Sequence, residues 1–445
     1  MATLKVDFSK EQGPIKRMHE VGQPPFTGGF RCFNFEPLRY LNDANISYAR
    51  LHDVYGPYGS NRFVDIPNIF RDFDADAEDP ESYDFAFTDA LLEGMAEYGI
   101  KPIYRLGVTI ENQFHIKAYH IYPPKDFKKW AQICEHIIRH YNEGWADGFH
   151  YGIEYWEIWN EPENGEPGNN QMWLGTNEQF YELYHTAASH LKECFGDKIK
   201  VGGFAPCTPY WLFFEPEKYG LDLPKMEENA RGIHRRDFVR GFFEYIKERS
   251  TPLDFFTWHA YLDVAELVEC AKFYDSFLKE YGFEGIETHL NEWNGEHKKI
   301  QRCNSYASSQ AAATMLAMQN TSTDMLCYYD ARYGGENSTY GGFFNPLTRE
   351  PSCTYYSFVA FGKLYALGKQ AECISDTDGI YAVAATNGEK KALMIANITG
   401  EDQALTINQE GGKVYLIDQD HHFTLTDRDS ASFTLKKDET IYIEF

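Results

Sequence analysis

DFKKWAQICEHIIRHYNEGWADGFHYGIEYWEIWNEPE, residues 126–163, reads as a helix, a connection and a strand. In its first part Phe127, Trp130, Ile133, Cys134, Ile137, Ile138 and Tyr141 recur at helical spacing. Its last part, IEYWEIWN (153–160), is a β-branched and aromatic run that ends on Asn160-Glu161-Pro162. Pro162 biases Glu161 away from helical geometry, as expected where a strand leaves a sheet. Working outward, similar strand signals fall at 46–52, 101–108, 199–205, 254–261, 286–293 and 324–330. Helical patterns separate them at 88–98, 177–194, 237–248, 264–281 and 305–319. A further, poorly patterned strand is expected first, within 16–30. Such alternation means a parallel sheet, and eight units favour a closed (β/α)8 barrel. An open doubly wound sheet is the rival, but no Gly-rich phosphate loop follows an early strand.

After a last helix near 352–367 the period changes. The runs GIYAVAAT, KALMIANI, ALTIN, KVYLID, SFTLK and TIYIEF alternate and are separated by turn residues. They predict an antiparallel β-sandwich. The expected division is a barrel over 10–368 and a sandwich over 369–445, which a strand within 1–9 joins (LKVDF, 4–8). Residues 56–82, rich in Gly, Pro, Asp and Asn, read as a long loop.

The chain of 445 residues carries 42 Lys+Arg against 67 Asp+Glu, a net charge of −25. That surface disfavours nucleic acid and anionic membranes as partners and leaves neutral ligands open. Nine cysteines lie scattered, with no Cys-x-x-Cys pair, which predicts free thiols in a reducing compartment. No signal peptide and no long apolar span is visible, so a cytoplasmic location is expected. A homo-oligomer is left open.

Two segments carry chemistry. One is Trp156-Glu157-Ile158-Trp159-Asn160-Glu161-Pro162-Glu163, at the end of strand four; the other is Leu290-Asn291-Glu292-Trp293-Asn294, at the end of strand seven. Strand ends at the C-terminal rim are where barrel enzymes do chemistry. Glycosidic bond cleavage needs a protonated and an ionised carboxyl, and their separation decides between retention and inversion. Glu287 is a rival to Glu292, but an odd offset of five on a regular strand puts it on the other face, deeper in the wall. The same rule sends His289 and Glu292 to opposite faces, so no metal pair is expected there. Glu157 shares a face with Glu161 one step lower and reads as a buried partner or a helix-facing acid. No Gly-x-Ser-x-Gly elbow is present.

These residues resemble the clan A glycoside hydrolases, which end strand four on Asn-Glu-Pro and strand seven on Glu. Within that clan the chain is most similar to glycoside hydrolase family 39, the β-xylosidase and α-L-iduronidase family. Arg50-Leu51-His52 resembles the family's Arg-Phe-His after strand two, and Trp258-His259-Ala260-Tyr261 resembles its strand-six segment. The resemblance implies a retaining double displacement with Glu161 as general acid/base and Glu292 as nucleophile, and no cofactor. It implies that Asn160 bonds the sugar 2-hydroxyl, that His52 and His259 bind sugar hydroxyls, and that Tyr261 orients Glu292. Arg50 would help keep Glu292 ionised. Trp293 is placed with the substrate-binding residues, with roofing of the barrel as its alternative. The loops GGFRCFNFEPL and ARYGGENSTYGGFFNP depart from the family pattern and put the sugar itself in question. The expected activity is removal of terminal sugars from neutral glycosides, a β-xyloside first. Arabinosidase, glucosidase and glucuronidase specificities are alternatives, as is a silent carbohydrate-binding protein, against which both carboxylates speak.

Overall fold

The computed structural model describes residues 2–28, 33–52, 64–109, 121–166, 169–295, 302–333 and 342–445. Eight parallel strands close into a barrel: Arg17–Gly22, Tyr48–Leu51, Lys101–Leu106, Tyr155–Ile158, Lys200–Gly203, Phe255–His259, Glu287–Trp293 and Met325–Tyr328. The weakly patterned first strand is Arg17–Gly22, paired to both Tyr48–Leu51 and Met325–Tyr328. Helices pack outside. Phe127–Glu143 starts where Asp126 accepts from the N–H groups of Lys128 and Lys129, and it stops at Gly144, φ 77°. The helix Ala230–Glu248 begins seven residues before its predicted start, under an Asn229 cap. Its first turns are rich in Arg and poor in apolar spacing, which hid them.

Side chains alternate across each strand. At the lower end Tyr48, Ile103, Tyr155, Phe255, Met325 and Cys327 form an apolar plug inside the barrel. Two residues further along three of those strands stand Arg50, Arg105 and Glu157, at 1%, 0% and 0% exposure. The barrel interior therefore changes from apolar to charged in one step toward its C-terminal end. Gly203, φ 142°, lets neighbouring strands approach: a Cβ there would lie 2.6 Å from the Ile158 carbonyl oxygen.

A nine-stranded sheet follows the barrel, in the order His422–Thr426, Lys413–Ile417, Thr440–Glu444, Lys391–Asn397, Ile380–Thr386, Lys369–Ser375, Ala2–Pro14, Gln403–Ile407 and Ser432–Leu435. Its strands enclose the second core of a β-sandwich. The N-terminal strand pairs antiparallel with Lys369–Ser375 and parallel with Gln403–Ile407. Lys369–Ser375 and His422–Thr426 escaped sequence reading because neither alternates in burial. In Lys391–Asn397, Leu393 and Ile395 enter the sandwich core, whereas Ala392, Met394 and Ala396 join the barrel's apolar cluster. The barrel helix Ser305–Met318 lies against this sheet and is buried on nearly every side, which explains its Ala-rich composition. No described helix is long and apolar enough to cross a membrane. The described cysteines are all free thiols; Cys32 lies outside the described residues.

Candidate active site

Strand seven decides the site through an irregularity. Its pairing register shifts between Leu290 and Glu292 against strand six, and between Leu290 and Trp293 against strand eight. Such a bulge puts two successive residues on one face. Asn291 donates to Glu157 at 2.5 Å, and Glu292 receives Arg50, so both point into the barrel. The odd-offset argument for Glu287 fails for this reason: Glu287 also points inward, at the opposite, lower end. There it accepts from Tyr155 at 2.8 Å and pairs with Lys200. His289 turns down to Glu287 at 3.3 Å and away from Glu292. Past the bulge Trp293 faces outward. It is wholly buried against Tyr328 and Phe358, with ring centroids 5.3 and 6.3 Å away, so no face of its indole is open to a sugar. In this structure Trp293 packs the barrel wall, in keeping with the packing alternative that the sequence left open beside substrate binding.

Arg50 organises the floor of the site. Its Nε donates to Glu157 at 2.7 Å, Nη1 to Glu292 Oε1 at 2.8 Å, and Nη2 to Asn160 Oδ1 at 2.7 Å. Burial opposes the Arg50 charge, but Glu157 and Glu292 outweigh it and hold the guanidinium ionised. Tyr261 donates its hydroxyl to Glu292 Oε2 at 2.9 Å. His52 accepts on Nδ1 from Arg105 at 3.1 Å, and Arg105 in turn pairs with Asp65 at 2.6 Å. Burial and the Arg105 charge hold His52 well below the usual imidazole range, so it is neutral. With Nδ1 accepting, its proton sits on Nε2.

His259 takes a place that the sequence did not indicate. It is fully buried between the two carboxylates, with Nδ1 2.7 Å from Glu161 Oε1 and 3.6 Å from Glu292 Oε2. An oxygen of Glu161, one of Glu292 and a ring nitrogen of His259 all lie within 4.8 Å of one another. Burial raises Glu161, but the hydrogen bond and charge of His259, then the Arg235 charge, hold its carboxyl below the usual range. Burial also raises Glu292. The charges of His259 and Arg50 offset this only in part, and the Glu161 charge adds to it, so Glu292 lies above the usual range.

The backbone around Glu161 turns sharply. Trp159 and Glu161 have φ of 70° and 44°, left-handed values that cost about 1–3 kcal/mol each in a non-glycine residue. The Glu161 N–H donating to the Ala205 carbonyl at 3.1 Å anchors the turn.

Beyond Glu161 lie groups that sequence reading missed. Asn164 donates Nδ2 to Glu161 Oε2 at 2.6 Å, and its Oδ1 accepts from Arg231 at 2.6 Å and Arg235 at 3.1 Å. Their one sequence signal was an Arg-rich ARGIHRR stretch in an acidic chain. Glu163 is fully buried; Oε1 accepts from the Cys207 N–H, and Oε2 has no hydrogen-bond partner among the described residues. Burial pushes its carboxyl up to about 7, against the pull of Arg235. A carboxyl raised by folding adds stability that is complete below its unfolded value of 4.5 and lost as pH rises through about 7. We expect unfolding free energy to fall by about 3 kcal/mol across that window from this group. Glu163→Gln should remove that part of the slope in urea titrations at pH values across it. An unchanged slope would contradict the assignment.

A pair of close carboxylates at the C-terminal end of barrel strands four and seven is thus in place. The sequence model of the glycosyl hydrolases of family 39 matches residues 42–289, more than half of the chain. This chain belongs to glycosyl hydrolase family 39. A β-xylosidase of Geobacillus stearothermophilus is 22% identical over 346 residues, 69% of this chain and 61% of that enzyme. The chain thus matches less than two thirds of that relative's length. A solved glucosidase from Croceicoccus marinus shares 21% identity at a TM-score of 0.75, covering 100% of this chain and 98% of its own. A monomeric β-xylosidase from Caulobacter crescentus shares 14% at 0.64, covering 100% and 99%. At these identities the likeness to these solved structures speaks for the fold alone.

Proposed function

We propose that this chain removes terminal sugars from neutral β-glycosides with retention, a β-xyloside first among them. The single observation that carries the reading is the spacing of Glu161 and Glu292, with oxygens within 4.8 Å. Retaining sites hold their carboxyls about 5–5.5 Å apart, whereas inverting sites need about 6.5–9.5 Å to seat a water. The family relative from Geobacillus, a β-xylosidase, favours xylose.

In this reading Glu161 protonates the glycosidic oxygen while Glu292 attacks the anomeric carbon. Glu161 then takes a proton from water, which displaces Glu292. Arg50 and Tyr261 both donate to Glu292, which favours its ionised form for attack, because their bonds are strongest to the anion. The positive charge growing at the anomeric carbon favours it further. Asn160 keeps Oδ1 on Arg50 and offers Nδ2 to the sugar 2-hydroxyl. His52, protonated on Nε2, donates to a hydroxyl, and His259 bridges the carboxyls.

The test is a panel of aryl xylosides, glucosides, arabinosides and glucuronides of both anomers, with wild type and Glu161→Ala. The expected result is activity on a β-xyloside with a retained-anomer product by NMR. Loss of acid assistance in Glu161→Ala should lower kcat/KM about 10²- to 10⁴-fold on phenyl glycosides and little on 2,4-dinitrophenyl glycosides. An inverted product, or wild-type turnover of phenyl glycosides by Glu161→Ala, would overturn the reading.

A further inference from the structure

We infer that Asn164, gripped by Arg231 and Arg235, is a positioning residue that decides which oxygen of Glu161 carries the reacting proton. The inference rests on Glu161 being the acid/base. Guanidinium groups only donate, so two of them on one amide leave its oxygen facing them. Asn164 Oδ1 is therefore held at 2.6 Å from Arg231 and 3.1 Å from Arg235, and its Nδ2 must point the other way. It points at Glu161 Oε2, 2.6 Å off. An N–H that donates to Oε2 occupies that oxygen as an acceptor and leaves the proton to Oε1. Oε1 is the oxygen beside His259. The clamp is rigid: Asn164 and Arg235 are 8% and 7% exposed, and the Asn164 N–H also closes a turn onto the Glu161 carbonyl at 3.0 Å.

The arrangement suits both halves of a double displacement. In the first, the proton is kept off Oε2 and on the reacting oxygen. In the second, the same amide N–H stabilises the carboxylate that must receive a proton from water. The other groups facing Glu161 are His259 from strand six, Glu292 from strand seven, the nearby Cys207 thiol and the Arg235 charge. Arg235 itself also faces Glu163 and Tyr210. Asn164 donates to Oε2, and the Cys207 thiol also hydrogen-bonds the Glu161 carboxyl.

Asn164→Ala and Arg231→Ala are compared with wild type and Glu161→Ala on phenyl and 2,4-dinitrophenyl glycosides of the sugar that wild type prefers. Asn164→Ala should lower kcat/KM on the phenyl glycoside about 10- to 100-fold, as a misplaced group does, and change the dinitrophenyl value less than about 3-fold. Losing a donor to the carboxylate should also move the alkaline limb of the kcat/KM profile to higher pH. Arg231→Ala, at the exposed end of the clamp, should act in the same direction with smaller size, and it decides alone if Asn164→Ala does not fold. Equal losses on both leaving groups with an unmoved limb would mean a merely structural role and overturn the inference, as would wild-type rates on the phenyl glycoside. Wild-type phenyl activity in Glu161→Ala would instead overturn the acid/base reading beneath it.

Discussion

Replacing Glu292 by alanine should lower turnover on the order of 10⁴-fold or more, the scale seen when a nucleophile that acts with its partners as a unit is removed. The fold should survive. Burial raises the Glu292 carboxyl, so its charge is held in the folded state at a cost, and Arg50 keeps Glu157 and Asn160 as partners when it goes. The check has two parts. Unfolding in urea should give a midpoint at or above that of wild type, and an activated 2-deoxy-2-fluoro glycoside should add its mass to the peptide containing Leu290–Asn294 in wild type only. A label on Glu287 or Glu157, or steady turnover without Glu292, would sink the assignment. Glu287 is a poor candidate on physical grounds, since Lys200, Tyr155 and His289 engage it at the far end of the barrel.

Arg50→Met should cost about 3–5 kcal/mol of stability, because removing one partner leaves buried carboxylates without their cation. Arg50 is 1% exposed and is the cation on both Glu157 and Glu292. The loss has a definite pH dependence. Without the guanidinium the Glu292 carboxyl rises further in the folded state, so its contribution is complete below the ordinary 4.5 and declines as pH increases. The deficit relative to wild type should therefore shrink on acidification from pH 8 to pH 5, read as urea midpoints at each pH. Activity should fall as well, since Glu292 would be protonated where it must attack. Arg50→Lys should rescue little: a single ammonium cannot span three acceptors in a fixed plane. A deficit that grows on acidification would contradict this account.

Much of the fold was legible because its signals are local. Helical spacing in 126–141 marks a helix whose buried face is Trp130, Ile133, Cys134, Ile137, Ile138 and Tyr141, as read. The strand run 153–160 became Tyr155–Ile158, and Arg50 stands at a strand end as expected. The bulge in strand seven was not legible, since period-two reasoning assumes an unbroken register, and a register exists only between strands. That one irregularity put Glu292 on the inner face with Glu287, His289 and Asn291 and turned Trp293 out.

The sequence by itself determined the alternation that closes a barrel, the change of period that builds the sandwich, and the Asn160-Glu161-Pro162 strand end. Each depends on neighbours within a few residues. Only the tertiary structure decided how close Glu161 and Glu292 come, that His259 lies between them, and that Arg235 reaches Asn164 across 71 positions. Those facts depend on how eight strands tilt and pair, and ångström-scale distances between groups far apart in the chain have no local pattern to announce them.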